Sequence, residues 1–295
     1  MSEYGLMDRE FPFIVYGMSN EEYQSRNDFM RRTMLCQVSR YGGEALKFMD
    51  EGHSLFKGSS ATTLGSKFDH LVERLIQGIP VSDTLKAPDS TVLSKSGQRR
   101  GKAWEEFKKE VEEAGQIACS ADDEFQLTTM ADHLMDHPVA RQLVEDTEQT
   151  QASCFFIFEG VRCAVRPDGM VPKDHPEPRW WDLKSTSSTW DKLHRSVYDY
   201  GYAEQEYFYV DCAKQLGWPS HRMPFVFVQT MPPYACRVYH LPEEIVRDAG
   251  ARLINTINEI QLRRRTGVYL PVEAEQILEL EVPAWARKEE EVFCG

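Results

Sequence analysis

Nowhere in the 295 residues does an apolar run approach the ~18 residues that a membrane-spanning helix needs, so no membrane partner is expected. Met1-Ser2-Glu3-Tyr4 lacks a basic segment followed by an apolar one, so no secretory signal is expected and a cytoplasmic location is the expectation. Cysteine is sparse. The seven (Cys36, Cys119, Cys154, Cys163, Cys212, Cys236, Cys294) are scattered and form no Cys-x-x-Cys pair, which argues against a disulfide framework or a zinc ribbon. Free buried thiols are the plain reading. A basic surplus is missing too: a net charge of −13 counts against a protein that coats nucleic acid, because neutralising phosphate takes Lys and Arg. Two local clusters, Lys95 to Lys102 and Arg263-Arg264-Arg265, can reverse the sign where they lie. No internal repeat is evident.

What is present is an ordinary globular balance, 27% charged and 41% hydrophobic, in a length that fits one elaborated domain. Residues 18–150 read as mainly helical, 151–270 as a β-rich core and 271–295 as an acidic tail. Ser19-Asn20-Glu21-Glu22 has the spacing of a capping box and predicts a short helix. Phe68, Leu71, Val72, Leu75 and Ile76 recur at three and four, predicting an amphipathic helix over 65–77 entered through Gly65-Ser66. Residues 81–96 read as an exposed loop, and 101–114 and 122–136 as two helices, the second stopped before Pro138. Strands are predicted at 153–158 and 161–165 around Glu159-Gly160, at 179–183, 225–229 and 236–241. Helices are predicted from about Thr189 to Leu216 and from Pro242 to Arg265. This order gives an α/β fold, a central mixed β-sheet flanked by helices, with helical elaboration at the N-terminal side. The catalytic residues are expected where the second and third strands run side by side.

Asp168 and the triplet Asp182-Leu183-Lys184 stand at the ends of apolar β-like runs. Mg²⁺ binds through one or two carboxylates plus phosphate and water, so the two aspartates and the Leu183 carbonyl are candidate metal ligands, with Mn²⁺ as a substitute. Lys184 lies two residues beyond Asp182 on one strand, so both side chains face the same way. There an ammonium can orient water and offset charge in the transition state. In isolation Asp-x-Lys is frequent, and a turn aspartate with a surface ion pair is the plainer reading. The following Ser185 and Thr186 add hydroxyls that can donate to phosphate. Asp69 or His70, adjacent on the early helix, could supply a third ligand, although Asp69 sits at a polar position where a solvated carboxylate is ordinary. Tyr202, Gln205 and Tyr209 share one face of the later helix, where Gln205 suits phosphate or bound water and Tyr209 can hydrogen-bond beside it. Arg99, Arg100 and Lys102 are candidate DNA contacts, a solvated loop being the alternative.

Taken together these segments resemble the PD-(D/E)xK nuclease superfamily, and within it the RecE-like (exonuclease VIII type) phage exonucleases. The resemblance rests on Met18-Ser19-Asn20-Glu21-Glu22-Tyr23, Leu64 to His70, Arg166-Pro167-Asp168, Asp182-Leu183-Lys184-Ser185-Thr186, Tyr200-Gly201-Tyr202 with Gln205 and Tyr209, and Phe225 to Gln229 with Pro232-Pro233. It implies a Mg²⁺-dependent exonuclease that digests linear double-stranded DNA from a 5′ end and leaves 3′ overhangs for a single-strand annealing protein. It also implies a ring-shaped homo-oligomer. Asp168 and Asp182 carry over as metal ligands, Lys184 as the catalytic lysine, and Arg166 as a DNA contact. Three departures stand out: the helix position that is usually histidine aligns best with Asp69, Gln229 stands where glutamate is common, and the interval from Asp168 to Asp182 is long, an extended hairpin loop. The wide spacing of Cys212, Cys236 and Cys294 counts against a nuclease with an iron–sulfur cluster. A structure-specific or restriction-type endonuclease and a catalytically silent DNA-binding protein are the alternatives on the same fold.

Overall fold

The computed structural model describes residues 9–53, 55, 60–89, 92–93, 101–219, 221–271, 277 and 279. Strand β1 (Phe13–Val15) leads into helix α1 (Asn20–Ser25), strand β2 (Met30–Arg31), helix α2 (Arg32–Asp50) and helix α3 (Ser60–Ile76). The Ser19 hydroxyl accepts the Glu22 amide at 3.0 Å and caps α1. Of the expected reciprocal box, only this serine half is seen among the described residues. The segment expected as a loop carries structure: helix α4 (Val81–Thr84) and strand β3 (Leu85–Lys86), with Thr84 and Leu85 buried. These elements are too short to leave a periodic signal. After helix α5 (Lys102–Glu113), strand β4 (Ile117–Ala118) pairs in parallel with β3. Helix α6 (Ala121–Asp136) ends where expected, but Pro138 does more than stop it. As the first residue of helix α7 (Pro138–Asp146) it supplies a preset φ and needs no hydrogen bond there.

Strands β5 (Ser153–Phe158) and β6 (Val161–Val165) form the expected hairpin, with Glu159 at φ 47° and Gly160 at φ 76°. Then come β7 (Gly169–Met170), β8 (Trp180–Thr186), helices α8 (Leu193–Asp199) and α9 (Tyr202–Gln215), strands β9 (Phe225–Gln229) and β10 (Cys236–Tyr239), and helix α10 (Glu243–Thr266). The single helix expected over 189–216 is therefore broken. Gly201 adopts φ 64°, ψ 45°, a left-handed conformation that separates α8 from α9, and a Cβ there would meet the Cys36 sulfur at 3.1 Å.

The strands form two mixed four-stranded sheets, in the orders β1-β5-β6-β2 and β10-β9-β8-β7, plus the β3–β4 pair. The expected adjacency of the second and third strands is not found: β8 pairs with β9 in parallel and with the short β7 antiparallel, whereas β6 lies in the other sheet. The chain crosses between the sheets through Arg166-Pro167-Asp168, and the long hairpin follows from β7 to β8 as expected.

Strand β8 is pinned from both faces. Trp180 packs with Phe156, Phe208 and Trp218, whereas Trp181 and Leu183 pack with Phe68, Leu71, Leu127 and Val226. Burial of each such aliphatic or phenyl side chain contributes about 1.5–3 kcal/mol, and a one-residue slip would invert the whole set. The register that sets Asp182 and Lys184 on one face is thereby fixed. Gly65 is not a helix entry, since α3 begins at Ser60. A Cβ at Gly65 would lie 2.8 Å from the Ser185 hydroxyl, so the glycine lets α3 cross close to β8. The described cysteines are free, as expected; Cys294 lies outside the described residues.

Candidate active site

Asp168 sits just before β7, held through both carboxylate oxygens. Gln151 Nε2 donates to Oδ1 at 2.8 Å and the Leu183 amide donates to Oδ2 at 2.7 Å, so Asp168 is tied to the strand that carries the other acid. Asp182, 2% exposed, accepts from Gln205 Nε2 at 2.6 Å through Oδ1 and forms an ion pair with Lys184 through Oδ2. The Lys184 ammonium also lies 5.3 Å from the centroid of the Tyr202 ring, a cation–π contact in a desolvated setting.

Asp69 and His70 meet different surroundings where α3 crosses the sheet. Asp69 interacts electrostatically with Lys184, Asp182 and Glu73, and burial foremost, with its acidic neighbours, pushes its carboxyl up to about 7. His70 is exposed and is influenced by burial and by Arg74, with no member of the acidic cluster acting on it. One residue along a helix is a turn of 100°, enough to carry one side chain to the cluster and its neighbour away. Asp168 is pushed well above the ordinary carboxylate range, chiefly by burial and then by Asp182 and Asp69, against the pull of Lys184. For Lys184 burial acts downward, but Asp182, Asp168 and Tyr202 outweigh it and the ammonium is held above its usual value.

Several expected contacts take other roles. Gln205 donates to Asp182, and its own Oε1 is buried without a partner. Tyr209 does not bond beside Gln205, its hydroxyl donating to the Arg166 carbonyl at 3.4 Å, two residues before Asp168. Arg166 donates to the carbonyls of Gln151 and Met18, fastening the crossing between sheets; its Nη1 is buried without a partner. Ser185 faces Gly65 of α3, and the Thr186 hydroxyl accepts the Ser188 amide at 3.1 Å. Lys102 is exposed on α5 and pairs with Glu106 at 3.4 Å. Arg99 and Arg100 lie outside the described residues. Of the other basic cluster, Arg263 pairs with Glu259 and binds the 269 carbonyl, and Arg264 pairs with Asp50, so both serve the fold. Gln229 donates to the Ser188 carbonyl at 3.0 Å.

Sequence reasoning passed over Gln151 and Glu73. Gln151 is a loop glutamine at φ 50° with no local pattern to mark it. Glu73 lies one turn after Asp69 on α3, and that spacing was the available signal.

Among the described residues no group of three or more His, Cys, Asp or Glu side chains is arranged as a ready-made metal cage. The donor set nevertheless fits a hard divalent cation. It is all oxygen, Asp182 Oδ2 is buried with no hydrogen bond beyond its ion pair, and the acids repel one another in a way that added positive charge relieves. Asp168 and Asp182 would hold it, with Asp69 as a further oxygen donor.

Mixed sheets flanked by helices, with two acids and a lysine converging where a hairpin strand meets the central strand, define the PD-(D/E)xK nuclease fold. The chain belongs to the family of the PDDEXK-like domain of unknown function (DUF3799), whose profile matches residues 94–278. Among solved structures it is similar to a "Putative exonuclease" from Eubacterium rectale, with TM-score 0.57 and 14% identity over 91% of this chain and 97% of that one, a likeness of fold. SSO0001 aligns at TM-score 0.25 and 12% identity over 72% of this chain and 94% of its own. No curated protein matches the chain. Among the described residues no helix is long and apolar enough to cross a membrane.

Proposed function

We propose that the protein is a Mg²⁺-dependent exodeoxyribonuclease of the RecE-like type that hydrolyses linear duplex DNA from the 5′ end and leaves 3′ overhangs. The observation that carries this reading is the convergence of Asp168, Asp182 and Lys184, each acid braced by its own amide donors. The exonuclease description of the Eubacterium rectale protein is in keeping with it. Mn²⁺ would serve in place of Mg²⁺, a ring-shaped homo-oligomer would thread the duplex, and a single-strand annealing protein would take up the overhang.

Mg²⁺ held by Asp168 and Asp182, with the Leu183 carbonyl and Asp69 as further oxygens, would supply Lewis-acid stabilisation of a scissile phosphate. The chain's own residues do the rest. Lys184, fixed between Asp182 and the Tyr202 ring, points water at phosphorus and offsets charge growing on the phosphoryl oxygens. As the new phosphorus–oxygen bond forms, the attacking water gives up a proton to solvent, the ester bond to the adjoining nucleotide breaks, and the leaving oxygen takes a proton from solvent. Gln205, Gln151 and the Leu183 amide keep the acids in place, so little reorganisation is needed on the way to the transition state.

The test uses linear duplexes labelled separately at the 5′ and 3′ ends, and closed circular duplex, each with Mg²⁺ and with excess EDTA. The expected result is release of the 5′ label as short products in Mg²⁺ alone, with circular DNA intact. Cutting of the closed circle would make the protein an endonuclease, and robust cleavage in EDTA would overturn the metal requirement.

A further inference from the structure

Tyr200 is 62% exposed and stands one ring away from Lys184. Its ring stacks on Tyr202, with centroids 5.9 Å apart and planes 29° apart, and Tyr202 is the ring that the Lys184 ammonium faces. Its backbone is clamped: Arg32 Nη1 donates to the Tyr200 carbonyl at 2.6 Å, and Arg40 donates to the Asp199 carbonyl at 2.8 Å. Gly201 follows in its left-handed conformation, fixing the direction in which the ring is presented. An exposed aromatic ring that is stacked on one face and carried on a hydrogen-bonded backbone has less freedom to lose on binding.

Tyr200 opens onto a groove of 510 Å³ between α2 and the α8–α9 junction, which two further exposed tyrosines, Tyr41 and Tyr198, also line. In a chain of net charge −13 this groove carries three arginines, Arg32, Arg40 and Arg252, against two acids, and one of those, Glu204, is neutralised by Arg252 at 2.7 Å. Among the described residues Arg32 and Arg40 form no ion pair; their charge is turned to backbone carbonyls and to the groove. Arg32 and Thr33 are shared with a second cavity of 180 Å³ that reaches Arg166 and Gln151, next to Asp168. The two cavities meet at Arg32 and Thr33, and Gln151 in the second donates to Asp168.

We propose that this groove binds single-stranded DNA, with Tyr200 as the platform on which a base stacks next to the cleavage site. The inference rests on the nuclease reading and adds a path for one unpaired strand. A cationic groove with aromatic faces is the chemistry that holds a single strand without reading its sequence, because every base has a π-face and every link a phosphate. Duplex would gain little from Tyr200, since its bases are already stacked.

The test measures binding of a single-stranded oligonucleotide carrying 2-aminopurine, in EDTA so that no turnover intervenes, by anisotropy and by the quenching that stacking causes. Tyr200→Leu is expected to weaken binding about tenfold, in line with the stacking energy of one base, and to abolish the quenching, while Tyr200→Phe retains both. Arg40→Gln is a second variant, expected to weaken binding and to lower its salt dependence. Unquenched probe on the wild type, or equal affinity and quenching for wild type and Tyr200→Leu with both folded by thermal melting, would overturn the proposal. A parallel cleavage assay of duplex in Mg²⁺ separates the two readings: oligonucleotide binding with loss of quenching in Tyr200→Leu but no wild-type cleavage supports the groove and sinks the nuclease assignment.

Discussion

The Gln205 side-chain amide donates to Asp182 Oδ1 at 2.6 Å, and both residues are 2% exposed. A buried carboxylate that repels two neighbouring acids needs such a donor to keep its orientation. Gln205 is a positioning residue, so its removal acts through Asp182. For Gln205→Ala we expect kcat to fall 10–100-fold with KM changed much less, the size usual for partners that orient metal ligands. Steady-state kinetics at several Mg²⁺ concentrations checks this; a pure KM effect would place Gln205 on substrate instead.

Lys184→Ala removes the cation paired with Asp182. Cleavage should fall by at least about 100-fold, the cost of deleting one electrostatic stabiliser of a transition state. Circular dichroism should report a folded chain, since the Lys184 head group is no part of either apolar cluster. Activity equal to wild type would refute the assignment.

Asp69 and His70 give a matched pair on adjacent residues of α3. Asp69→Asn should reduce activity strongly and shift the Mg²⁺ requirement upward, because Asp69 acts on Asp182 and Lys184. His70→Ala should leave cleavage within about twofold, being exposed and turned away. The reverse result, read from Mg²⁺ titrations of the initial rate, would show that α3 is rotated from the position described.

Glu206 offers a prediction independent of the site. It is buried beneath the β9 entry, accepts the Met223 amide at 3.3 Å through Oε1, and leaves Oε2 unpartnered. Burial, the chief cause, raises its carboxyl to about 7, above the 4.5 of an unperturbed glutamate. The folded state thus favours the proton: the glutamate carries no penalty below pH 4.5, and stability is lost as pH climbs from there to about 7. Glu206→Gln cannot ionise. The difference in Tm between variant and wild type should therefore be more positive at pH 8 than at pH 4.5, by several degrees, in scanning calorimetry. A difference that does not change with pH would mean that Glu206 titrates normally.

The part of the candidate site that was legible is the part whose geometry is local. Asp182 and Lys184 share a strand face through a period of two, and Gln205 and Tyr209 lie one helical turn apart. Contacts that bridge distant segments left no such trace. Gln151 reaches Asp168 across the β5–β6 hairpin, and Asp69 was separable from His70 only once the crossing of α3 on β8 was known. The break at Gly201 was missed because a lone glycine inside an otherwise helical stretch does not announce its φ. Strands β3 and β4 are two residues each and owe their existence to pairing with each other, a long-range event with no periodic signature.

Strand β8 presents Trp180 to one apolar cluster and Trp181 to the other, with the acid and the lysine next in line. The candidate site has no hinterland of its own: melting of either half of the molecule takes it away. Loss of activity on heating should therefore report whichever half gives way first, and an inactive protein that keeps much of its helical signal is an expected species. The strand acts as a fuse shared by two circuits.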